Sequence, residues 1–137
     1  MKFSIIIYAA PYSSQAATSA YHFANSVLVQ GHEIYRLFFF SDGVYNANRL
    51  ALPAQDEFNV QKAWEKLIDE HQLDSIVCVS SALRRGIVDA GESNRYELGA
   101  ISLSDKSTLS GLGQLVDAGV NSDRVVNFGW QVERKHK

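Results

Sequence analysis

The residue with the most evident chemistry is a cysteine. Cys78 is the only one among 137 residues, and it closes an apolar run in "DSIVCVSSALRRGI", Asp74 to Ile87. Small polar residues follow it, then the adjacent arginines Arg84 and Arg85. A thiolate is the reactive form of cysteine, and positive surroundings stabilise it. The stretch therefore holds parts that can activate a thiol, with Arg84 and Arg85 as candidates to steady it. Position alone favours packing, because small buried cysteines are common in strands.

What chemistry could the thiol support? Acyl transfer by a thiolate normally needs a histidine base. His22, His32, His71 and His136 are present, but no sequence signature ties any of them to Cys78. A thiol that only carries sulfur needs much less. It attacks a donor persulfide, holds the outer sulfur and yields it to another thiol, by the logic of thiol–disulfide exchange. That role requires a sulfur that is reachable and ionisable.

Other stretches are thinner. "SGLG", Ser110 to Gly113, lacks both phosphate-loop and dinucleotide fingerprints and reads as a helix cap. Asp42 follows a strand, as in a phosphoacceptor design, but no acidic pair follows the first strand, so it reads as a turn former. Paired metal ligands are absent, so neither a metal nor a cofactor is expected. One cysteine cannot form an internal disulfide or a multi-thiolate metal site.

The formal charge of −2 argues against a surface that grips nucleic acid throughout. The basic run "ERKHK", Glu133 to Lys137, is the sharpest imbalance and reads as a solvated tail. No stretch approaches the roughly 20 apolar residues of a membrane span. The apolar run at the start is too short for a secretory signal, so the cytoplasm is the expected location.

These residues need elements to hold them. Phe3 to Tyr8 reads as a strand buried on both faces, and Gln15 to Gln30 as a helix capped by Ser13 or Ser14 and ended by Gly31. Ile34 to Phe40 is a second strand, followed by the irregular "VYNANRLALPAQ". A helix opening at Asp56 buries Val60, Trp64, Leu67 and Ile68. Ser75 to Val79 is a third strand, with the cysteine at or near its end. "SSALRRGI" reads as a short helical turn, and the segment to Ser107 as loop. Ser110 is expected to cap a third full helix, and Arg124 to Phe128 to form the last strand. Strands separated by helices imply parallel pairing. The expected architecture is a three-layer flavodoxin-like or Rossmann-like α/β domain over residues 1–129, with a mainly parallel sheet flanked by helices and a basic tail over 130–137. In such sheets functional groups gather beyond the carboxyl ends of the strands, where Cys78 falls.

Several stretches together resemble the DsrE/TusD family of sulfur-relay proteins. They are "GHEIYRLFFFSDGVYNAN", "PAQDEFNVQKAW", "VCVSSALRRGIVD", "LSGLGQLVDAG" and "DRVVNFG", in that order along the chain. "GVYNAN" and "DEFNVQKAW" look closer to the TusD branch. The resemblance implies a sulfurtransferase subunit that takes a persulfide on Cys78, within a dimer of heterotrimers with TusB-like and TusC-like subunits. It implies a TusA-like donor and a TusE-like acceptor, in a relay that ends in 2-thiolation of the tRNA wobble uridine. It implies no direct contact with tRNA. Relatives of this kind also serve sulfur oxidation, and others lack a working cysteine and act as scaffolds. The "DGVYNAN" connection and the region from Arg95 to Lys106 are candidates to wall the thiol or to dock partners.

Overall fold

The computed structural model describes residues 1–129. The basic tail and His136 lie outside the described residues. The chain runs β1 (Lys2–Ile7), α1 (Ala16–Val29), β2 (Glu33–Phe39), a 3-10 helix (Ser41–Ala47) and α2 (Val60–His71). It continues through β3 (Ser75–Cys78), α3 (Val79–Arg84), α4 (Ala90–Arg95), β4 (Thr108–Ser110), α5 (Gly113–Asn121) and β5 (Arg124–Phe128). The five strands form one sheet in the order β4-β3-β2-β1-β5. Every pairing between them is parallel, as the helices between them require.

Alternation along the strands sorts the two faces. Ile5, Ile7, Leu37, Phe39 and Val77 belong to the main core, with Ala20, Ala24 and Val27 of α1 and Val60, Trp64, Leu67 and Ile68 of α2. The residues between them, Ile6, Phe38, Ile76 and Cys78, form a second and smaller cluster. Leu115 of α5 and the half-buried Tyr8 and Phe40 pack against it. The helices thus lie on both sides of the sheet, and the three-layer α/β expectation holds. The order runs outward from β1 and then returns to its other side at β5, in the Rossmann manner rather than the flavodoxin one.

Polar contacts hold α5 where apolar ones are few, since Ala118 is its only buried residue. Arg36 of β2 is buried; it donates to Asp74 at 2.7 Å and to Asp117 of α5 at 2.8 Å. Tyr35 donates its hydroxyl to the same Asp117 carboxylate at 2.6 Å.

Several element boundaries differ from the sequence reading. α1 starts at Ala16 with Gln15 before it, and Ser14 only accepts the Ala16 N–H at 3.3 Å. α2 opens at Val60 rather than Asp56, because the Asn59 side chain accepts the Lys62 N–H at 3.0 Å and fixes the start there. The region read as loop contains α4, capped by Asp89, which accepts from the Glu92 N–H at 2.8 Å. Ser110 does not cap a helix: it ends strand β4, beside Cys78.

Candidate functional site

Cys78 is the last residue of β3 and the residue from which α3 springs. Its sulfur therefore sits at the carboxyl edge of the sheet, where strand passes directly into helix. On one side it pairs in register with Ser110 of β4. Beyond it the chain turns at once into Val79, Ser80 and Ser81. The sulfur lies 3.5 Å from the Ser80 hydroxyl oxygen.

Two influences oppose each other at this thiol. Burial, the larger single one, pushes its pKa up and so disfavours the thiolate. Hydrogen bonds from the Ser80 and Ser81 hydroxyls, then from the Ser81 and Ser80 backbone N–H groups, pull it down. Together they outweigh burial and leave the thiol below its ordinary value. The sulfur is thus ionisable, as a carrier needs. It is not openly reachable: Cys78 is 1% exposed, one member of the small cluster against which Tyr8, Phe40 and Leu115 pack. A water-sized sphere scarcely touches it, so a reaction partner reaches the sulfur only when this cover moves.

The two arginines differ in placement. Arg84 is exposed. Arg85 is turned to Asp42, whose carboxylate accepts from its Nε at 2.9 Å, and to the Ser81 carbonyl, which accepts from Nη1 at 3.0 Å. Ser81 is buried, and its hydroxyl oxygen accepts the Ser41 N–H at 3.0 Å. Sequence reasoning missed Ser80, Ser81 and Ser41. A signal existed for the first two: hydroxyl residues that follow a strand-end cysteine into a helix place donors beside its sulfur.

Near this edge β5 lies beside β1, and a cleft of about 650 Å³ opens there between Tyr8, Ala9, Ser13, Ser41, Asp42 and Gly129. Close backbone approach shapes its rim. A Cβ on Gly43 would run into the Ile7 carbonyl, and one on Gly129 would meet Ala9. His32 lies at the opposite end of the sheet, its Nδ1 3.0 Å from the Met1 amino group, beside a smaller cleft that includes His71. His22 stacks on Phe58. The "DGVYNAN" connection and the region from Arg95 to Lys106, expected to be walls or docking surfaces, are joined through an antiparallel bridge between Asn48 and Leu103. Among the described residues no group of three or more His, Cys, Asp or Glu side chains could hold a metal. No helix among them is long and apolar enough to cross a membrane.

A parallel sheet with a lone, hydrogen-bonded thiol at its carboxyl edge defines a small α/β protein with a cysteine-centred candidate site. The chain belongs to the DsrE/DsrF-like family, whose model matches residues 1–128. It is 48% identical over 129 residues to a candidate sulfurtransferase named DsrE from Allochromatium vinosum, covering 94% of this chain and 99% of that one. Its fold is similar to that of the YchN protein of E. coli, with a TM-score of 0.75 at 22% identity over 93% of this chain and 99% of the other. The family assignment supports sulfur transfer as the general activity.

Proposed function

We propose that the protein carries sulfur as a persulfide on Cys78, within a relay that ends in 2-thiolation of the tRNA wobble uridine. One observation carries the reading. The only thiol of a chain 48% identical to a candidate sulfurtransferase sits at the carboxyl edge of the sheet, among donors that favour its ionised form.

The step balances without an external oxidant or reductant. The Cys78 thiolate attacks the outer sulfur of a donor persulfide. A bond forms between the two sulfurs, the donor's S–S bond breaks, and the donor leaves as a thiolate. In the second half an acceptor thiolate attacks the outer sulfur, and Cys78 is the leaving group. The hydrogen bonds from Ser80 and Ser81 serve this second half most, since a thiol that ionises readily leaves faster. The burial of the thiol suits a cargo that free thiols and oxidants would otherwise strip. Loading and unloading then occur only when a docked partner displaces the cover.

The partners on this reading are TusB-like and TusC-like subunits, a TusA-like donor and a TusE-like acceptor, with no direct tRNA contact. Exposed apolar side chains at helical spacing on and before α5, Leu112, Val116 and Val120, support life in an assembly. A second reading keeps the chemistry and places it in sulfur oxidation; the DsrE name of the relative favours it.

Incubation with a cysteine desulfurase, a TusA-like donor and cysteine tests the carrier role. The expected result is a mass gain of about 32 Da, one sulfur atom, mapping to Cys78 and absent from Cys78→Ser. The same gain on Cys78→Ser would defeat it. Loss of 2-thiouridine on gene deletion supports the tRNA context. Intact 2-thiouridine with impaired oxidation of stored sulfur moves the protein to the second reading.

A further inference from the structure

Arg85 follows the thiol by seven residues, and sequence proximity suggests a positive charge that faces the sulfur. Its contacts run elsewhere. The guanidinium is engaged by the Asp42 carboxylate at 2.9 Å and by the Ser81 carbonyl at 3.0 Å. Ser81 also binds the strand end from which Asp42 comes. Its hydroxyl oxygen accepts the N–H of Ser41, which is held at φ 54, a left-handed backbone unusual for a non-glycine residue. Ser41 and Asp42 are neighbours in the chain, so the contacts close into a ring: Asp42 to Arg85, Arg85 to Ser81, Ser81 to Ser41. A serine hydroxyl has a single proton. With the Ser41 N–H approaching its oxygen, that proton is left to donate, and the Cys78 sulfur, at the head of the same helix, counts the Ser81 hydroxyl among its donors.

We propose that Arg85 is a positioning residue for Cys78: clamped by Asp42, it fixes the Ser81 main chain so that the Ser81 hydroxyl, held by the Ser41 N–H, donates to the sulfur. The purpose of this arrangement rests on the carrier reading above. Arg85 then acts through Ser81 and not by direct charge.

The two mechanisms predict opposite signs for one conservative change. Asp42→Asn keeps the size and one acceptor but removes the negative charge that binds Arg85. If Arg85 acted by charge, the loss of a nearby carboxylate would free the guanidinium and let the thiol ionise at lower pH. If it acts through Ser81, the clamp loosens and ionisation moves to higher pH. The other charged or titratable groups on elements around the sulfur do not blur the comparison. Tyr8 is a phenol that burial pushes above its usual range, Arg84 is exposed, and Asp117 on α5 is bound to Arg36 and Tyr35.

The measurement is the pH midpoint of haloacetamide alkylation of Cys78 in the full chain, with circular dichroism to verify folding. The midpoint, unlike the plateau rate, is insensitive to how often the cover opens. Asp42→Asn is expected to raise the midpoint and lower the rate at neutral pH by about twofold to threefold. Ser81→Ala is expected to lower that rate by about tenfold, the order of one hydrogen bond to a charged group. Ser81→Thr, which keeps the hydroxyl, is expected to restore most of it. A midpoint in Asp42→Asn that falls or stays unchanged overturns the proposal. The readout is ionisation and not sulfur load, so a raised midpoint in a protein that never accepts persulfide would defeat the carrier reading and leave the clamp standing.

Discussion

A thiol that must attack in one half-reaction and leave in the next is served by moderate ionisation, and at Cys78 neutral donors provide it. The Ser80 contact, at 3.5 Å, has an ordinary length for a hydrogen bond to sulfur, and Ser80 comes first among the donors that favour ionisation. Ser80→Ala is expected to raise the alkylation midpoint and to slow alkylation at neutral pH by about tenfold, at least as much as Ser81→Ala does. The sign for stability follows from the same shift. An unfolded thiol ionises near pH 8.5, and the folded one ionises below its ordinary value. Ionisation therefore adds stability as pH rises through the folded value, and the gain is complete above the unfolded one. Thermal midpoints measured from neutral to pH 9.5 are expected to rise for the native protein relative to Cys78→Ser; parallel curves would contradict this. The cysteine itself was legible in the sequence, because a lone thiol at a strand end stands out. Arg85's role was not, because its partner Asp42 is 43 residues away and no local pattern announces a contact at that distance.

The elements that carry the site are fixed by caps, close approaches and ion pairs that can be tested singly. Asn59→Ala removes the cap of α2 and is expected to cost about 1 kcal/mol in urea unfolding. Gly43→Ala forces a Cβ against the Ile7 carbonyl and is expected to cost about 1–3 kcal/mol or more, with an upward shift of the thiol midpoint as the 3-10 helix moves. For α5 the decisive group is Asp117, held below the usual carboxylate range by the Tyr35 hydroxyl first and the Arg36 guanidinium second. A carboxylate lowered in the fold contributes stability above its unfolded value, near pH 4, and loses it as pH falls through the folded one. Amide exchange in α5 should therefore accelerate below about pH 4 relative to the rest of the sheet. Exchange that stays uniform would show that α5 does not depend on this latch. The long periodic elements α1 and α2 and the apolar strands were legible, since their spacing repeats over several turns. Strand β4 was not: three residues, Thr108 to Ser110, between polar and glycine-rich neighbours give no period to read. Helix α4 left a fainter trace, the Asp89 and Glu92 pair of a capping box, obscured by a polar and very short body.

At the scale of the molecule, topology brings the end of β3, the start of α3 and the 3-10 helix after β2 to one edge, where the Asp42, Arg85 and Ser81 contacts meet. The parallel α/β class was readable from alternation of element types, but the strand order, and so the position of the cleft between β1 and β5, was not, because it depends on which side of β1 the last crossover returns to. The shielding of Cys78 is likewise a property of the assembled fold. A small haloacetamide is expected to alkylate the native chain much faster than a bulky aromatic disulfide does, relative to their rates with a free thiol. Equal relative rates would mean that the cover is open most of the time. The cover has a further consequence for any sulfur that arrives. At 1% exposure the native packing leaves Cys78 almost no open surface on which an added atom could rest. A second sulfur atom must therefore act as a wedge, pushing back neighbours in the small cluster to which Cys78 belongs. Laden and empty carrier would differ in outline, and a protein waiting downstream could tell one from the other by shape before any bond is exchanged.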